Sequence, residues 1–110
     1  MARENMGANI RRKDVMAVMP ELIRAVEAMG ADKACCEYER NLRKAKMRLE
    51  RRLEWNSYAL VPGFVKSLVN ALTKRRLVRN IAMALAIHSE YPEFAEKKEE
   101  DFLYKHLYDH

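Results

Sequence analysis

Glycine and proline each occur only three times in 110 residues, and Thr73 is the sole threonine. So few turn formers leave room for only a few short loops. Valine and isoleucine never alternate with polar residues over a strand length, so there is no sheet signal. Cysteine is nearly missing, and the two present, Cys35 and Cys36, are neighbours. A disulfide between them would be strained and incompatible with a helix, and unbridged thiols point to an intracellular, reducing compartment. Long apolar runs are absent as well. The longest, Ile81–Ile87, is too short to span a bilayer, and no N-terminal run resembles a signal peptide.

Chemistry-bearing motifs are equally scarce. There is no glycine-rich phosphate loop, no nucleophile elbow and no HExxH, so neither catalysis nor a cofactor is expected. His106 and His110 stand at a legitimate ligand spacing, but the second is the final residue. Adding His88 or the cysteine pair would require unsupported folding assumptions, so no metal site is expected.

What is present is helical periodicity. An apolar fraction of 49% is enough for one core, and 110 residues suit one domain. The predicted fold is all-α: a single-domain antiparallel helical bundle of four to five helices. Residues 1–13 read as a basic flexible arm ending in Arg11, Arg12 and Lys13, and residues 14–110 as the helical domain. Asp14 is a candidate N-cap for a first helix carrying Val15, Val18, Met19, Leu22, Val26 and Met29. Pro20 is awkward within it, and Gly30 is the expected stop.

A second helix is expected from about Lys33 to about Tyr58, capped by Asp32. Its apolar seam runs through Cys35, Tyr38, Leu42, Ala45, Leu49 and Leu53, then Asn56 and Leu60. Pro62 should open a third helix with Phe64, Val65, Leu68, Val69 and Leu72 on one face. Beyond Thr73 the apolar residues Leu77, Val78, Ile81 and Leu85 jump to nearly the opposite face. That implies a break near Thr73–Arg76, or else one helix buried on different sides along its length; the break is the first expectation. Pro92 marks the start of a last helix that carries the acidic stretch Glu96–Asp101 and then Phe102, Leu103, Tyr104, Leu107 and Tyr108.

The net charge of +5 hides an asymmetry. Residues 1–52 hold 13 basic and 8 acidic groups, residues 53–89 hold 5 and 1, and residues 90–110 hold 3 and 7. On the second helix Arg40, Lys44, Arg48 and Arg52 recur every four residues, with Arg51 beside them. Like charges at that spacing repel, so an anionic partner is expected to compensate the ridge. Nucleic-acid phosphates come first, with Lys74, Arg75, Arg76 and Arg79 assisting.

The rival is a protein-interaction or assembly module that meets an acidic surface, including the acidic end of a second copy. A third reading takes Gly63–Arg79 as a cationic amphipathic helix on an anionic membrane. A helix-turn-helix over Leu22–Glu39, turning at Gly30, would sharpen the nucleic-acid reading, but its second helix is far too long. Trp55 and Tyr58 fit the closing of one end of the molecule better than stacking on bases. The acidic end could also mask the ridge in the free protein.

Overall fold

The computed structural model describes residues 10–94 and 107–108. Three helices make up nearly all of it: α1 (Arg12–Glu27), α2 (Ala31–Ser57) and α3 (Gly63–Glu90). A 3-10 turn, Pro92–Phe94, follows α3. Two strands of two residues each, β1 (Ile10–Arg11) and β2 (Leu107–Tyr108), pair in parallel with Ile10 opposite Leu107.

The class is as expected and the helix count is not: among the described residues three helices stand where four to five were anticipated. The break expected near Thr73–Arg76 is absent, because α3 runs unbroken through 28 residues. Its apolar residues change sides because its neighbours change. Leu77, Val78, Ile81 and Leu85 are buried, whereas Phe64, Leu68 and Leu72 face solvent. The expected last helix lies mostly outside the described residues; Leu107 and Tyr108, which were assigned to it, are extended instead.

Ile10 and Arg11, inside the segment read as a flexible arm, form a strand, and Ile10 is fully buried. Residues 1–9 lie outside the described residues. Helix α1 starts two residues before the expected cap, so Asp14 sits in its first turn, where a carboxylate suits the positive end of the helix dipole. Pro20 is tolerated in mid-helix. It removes a donor from the Met16 carbonyl, but both residues are exposed and water can take that place. Gly30 does not stop α1 in a left-handed conformation. Its φ of −76° and ψ of 161° are extended, and it serves as the N-cap of α2. Asp32 falls in the first turn of α2 rather than at its cap.

Cross-helix bonds set the directions. Asn80 Nδ2 donates to Asn41 Oδ1 at 2.9 Å, and Asn70 Nδ2 donates to Asn56 Oδ1 at 2.7 Å, so α3 climbs as α2 descends. Helix α1 runs alongside α3 in the same sense. Asp14 meets Lys74 at one end, and Tyr91 Oη donates to the Met29 carbonyl at 3.4 Å at the other. Because α1 has only 16 residues, it covers just the C-terminal part of α3. The core sits there, built from Val15, Leu22 and Val26 of α1, Ala34, Tyr38, Leu42, Ala45 and Leu49 of α2, and Leu77 through Ile87 of α3. In that part α3 is buried all round: Ala84, Leu85, Ala86 and Ile87 are consecutive and sealed. Alanines at 82, 84 and 86 let the neighbouring backbones approach closely.

The predicted α2 seam holds at Tyr38, Leu42, Ala45 and Leu49 and then departs. Ala34, not Cys35, is the buried residue at its start, and Arg52, not Leu53, is the buried residue at its end. Leu60 is off the seam altogether, in the connection to α3. Both cysteines are free thiols, Cys35 half-buried and Cys36 exposed.

Candidate functional site

Beyond the end of α1, helices α2 and α3 continue as a two-helix hairpin, and a groove of about 430 Å³ opens between them. Helix α2 contributes Arg48, Arg51, Arg52, Trp55 and Met47; α3 contributes Asn70, Thr73, Arg76, Val69 and Leu77. Four of these ten residues are arginines and none is acidic.

Arg52 forms the floor of the groove. It is only 5% exposed, and its Nη1 donates to the Asn70 carbonyl and to Thr73 Oγ1, both at 3.1 Å. Thr73 Oγ1 in turn donates to the Val69 carbonyl at 3.0 Å. Burial lowers the Arg52 pKa from its ordinary value, yet a guanidinium still keeps its charge. Arg52 was expected on an outward ridge. Its position three residues after Leu49 and seven after Ala45 puts it on the inward seam instead, and the polar atoms of α3 make that burial tolerable.

Two further donors of α2 lie beside Arg52 on the same helix. Arg48 Nε and Trp55 Nε1 are buried and meet no hydrogen-bond acceptor among the described residues. Leaving a buried donor unmade costs about 1–3 kcal/mol. Arg51 and Arg76 add positive charge at the rim, with the groove's low-dielectric walls focusing the field.

The other predicted cations are placed differently. Lys74, Arg75 and Arg79 border a second groove, between α1 and α3, which also contains Asp14 and Glu21. Lys74 Nζ pairs with Asp14 Oδ2 at 3.0 Å, so part of that charge is already satisfied. Arg40 is exposed and lies 3.4 Å from Glu37 Oε1, one turn away on its own helix. Lys44 is exposed one turn before Arg48. The nine predicted cations thus divide into a buried-donor groove (Arg48, Arg51, Arg52, Arg76), a groove shared with Asp14 and Glu21 (Lys74, Arg75, Arg79), and the outer face of α2 (Arg40, Lys44).

Sequence reasoning did not assign Asn70, Thr73 or the Trp55 indole nitrogen to the site. Trp55 does lie three and four residues after Arg52 and Arg51, which puts it on the same side of α2. The Trp55 ring packs edge-on against Tyr58, with centroids 6.0 Å apart and planes at 80°, as expected for aromatics closing one end of a molecule. Among the described residues there is no cluster of His, Cys, Asp or Glu able to hold a metal ion, and no helix long and apolar enough to cross a membrane. Comparison of the chain with protein-family models, with curated proteins and with solved structures finds no match.

Proposed function

We propose that the protein is a non-enzymatic helical binding module that takes nucleic-acid phosphates into the arginine groove between α2 and α3. The observation that carries this reading is the pair of buried, unmet donors, Arg48 Nε and Trp55 Nε1, in a groove with four arginines and no carboxylate. Arginine suits phosphate oxygens because its donors lie in a planar fork. In this reading Arg48, Arg51 and Arg76 contact phosphates, Arg52 holds the groove's two walls together, and Lys44 extends the positive track along α2. The antiparallel packing of α2 and α3 gives the groove its straight course. Backbone contacts carry little sequence information, so the expected binding is strong at low salt and indifferent to base. The two free thiols fit a reducing compartment.

The test is an anisotropy titration with labelled single- and double-stranded DNA and RNA over a range of salt. Three phosphate contacts give a slope of log K against log salt of about −2 to −3. Arg48→Ala, Arg51→Ala and Arg76→Ala should each reduce its magnitude by about one. Arg40→Ala should leave it nearly unchanged. Because Trp55 is the only tryptophan, its emission should change as the groove fills. Absence of binding to all four nucleic acids at low salt sinks the proposal. Binding to an acidic protein surface alone would favour the assembly reading, and binding to anionic vesicles alone the membrane reading.

A further inference from the structure

The hairpin half of α3 is built inside out. Toward α2 it presents polar groups: Lys66 Nζ donates to the Asn56 carbonyl at 3.1 Å, Asn70 bonds Asn56, and Thr73 accepts from Arg52. Toward solvent it presents an apolar stripe. Phe64 is 77% exposed, Leu68 59% and Leu72 73%, at successive spacings of four, and Leu60, in the connection just before the helix, is 98% exposed. Scattered exposed leucines need no explanation, but a contiguous stripe over the polar side of a helix pair does.

Two observations say what kind of surface covers it. Charge is the first. In a chain that is 34% charged, Lys66 is the only charged residue between Tyr58 and Thr73, and it is turned toward α2. Depletion of charge marks the core of a protein–protein interface, and the cations that follow Leu72, from Lys74 to Arg79, fall at the end of the stripe as its rim. Register is the second. Phe64 stands seven residues before Ala71 and fourteen before Val78, so the three share one side of α3. Ala71 and Val78 border the groove with α1. Among the described residues, the side of α3 that α1 covers lower down is therefore bare above.

We propose that a second copy of this chain covers that side, with the stripes of two α3 helices packed against each other about a two-fold axis. An uncharged, helical, apolar ridge is complementary to itself, and closed two-fold pairs are the commonest assembly. At about 150 Å² per large apolar side chain, the four residues expose roughly 450 Å² per copy at their stated exposures. The pair removes roughly 900 Å² through them alone, and the rim residues Tyr58, Ser67 and Ala71 bring the total toward the about 1,200 Å² at which stable interfaces begin. This proposal does not depend on the arginine groove, which opens to a different side of the hairpin.

Sedimentation velocity across a dilution series, at low and high salt, tests it. The expected result is a dimer that persists at high salt, because its contacts are apolar. Phe64→Asp and Leu68→Glu should each give a monomer with unchanged helical circular dichroism, and Leu68→Met should stay dimeric. An independent check uses Ser67→Cys in a Cys35→Ser/Cys36→Ser background, where a short bismaleimide should yield a covalent dimer. A wild-type chain that is monomeric up to its solubility limit overturns the proposal. So does a dimer that survives both charge substitutions, or one that falls apart with salt. A monomer that binds phosphatidylserine vesicles and loses them on Phe64→Asp would overturn it in favour of a lipid surface.

Discussion

The two halves of α3 have opposite plans although one unbroken helix carries both. From Leu77 to Ile87 apolar side chains fill the interior formed with α1 and α2. From Phe64 to Thr73 hydrogen bonds join α3 to α2 beside the half-buried Val65 and Val69, and Phe64, Leu68 and Leu72 stand outside. The difference follows from the length of α1, which ends its cover of α3 about where the pattern changes. A helix's apolar face is thus a record of its neighbours, turn by turn, and a change of face reports a change of neighbour rather than a break.

The contrast can be tested in order of expected effect. Ile81→Ala should cost about 2–5 kcal/mol in urea unfolding, through lost burial and the cavity left behind. Leu72→Ala, made in the Phe64→Asp background to remove any effect of association, should stay within about 0.5 kcal/mol. Equal costs at the two positions would erase the distinction between the halves. Next comes the polar floor of the hairpin. Arg52→Ala removes one donor each from the Asn70 carbonyl and Thr73 Oγ1 and should cost about 1–3 kcal/mol, while the exposed Arg51→Ala should cost little.

Smaller still is the pair that joins the start of α1 to the midpoint of α3. Asp14 and Lys74 are both partly exposed, so Asp14→Asn should cost less than about 1 kcal/mol and less again at high salt. The smallest effect is spectroscopic. Tyr58 Oη donates to Glu54 Oε1 at 2.8 Å, and that bond, with the nearby carboxylate charge, raises the phenol pKa above its ordinary value of 10.0. The bond's contribution is complete below the unfolded-chain pKa and is lost as pH rises through the raised folded value. In an ultraviolet titration, Glu54→Gln should shift one tyrosine's share of the absorbance change to lower pH.

Much of this was legible in the sequence. The helical class, the α2 seam from Tyr38 to Leu49, and the reversal of faces along α3 follow from the spacing of apolar residues. The continuity of α3 was not legible, because a face change looks the same whether the helix breaks or its surroundings do. Arg52 was misplaced for a related reason. A four-residue count groups it with Arg48, but a seam that advances by three and four turns it inward. The groove needed two helices at once: Asn70, Thr73 and Arg76 lie 15 or more residues from Trp55, and only the hairpin's alignment brings them together. Gly30 was read through a common habit of glycine, the left-handed stop, when an extended N-cap was also open to it.

The two asparagine pairs across α2 and α3 have a consequence for how the chain finds its fold. Asn41 with Asn80 and Asn56 with Asn70 sit 15 residues apart on one helix and 10 apart on the other. Long helices with repeating apolar residues can slide past one another by a heptad and still bury much of their surface. Here any slide would move the amides off their partners, leaving them against groups that cannot answer them. The two pairs therefore favour the observed alignment of α2 and α3 over its slid alternatives, and the register of the hairpin is set by side chains that contribute little to its apolar burial.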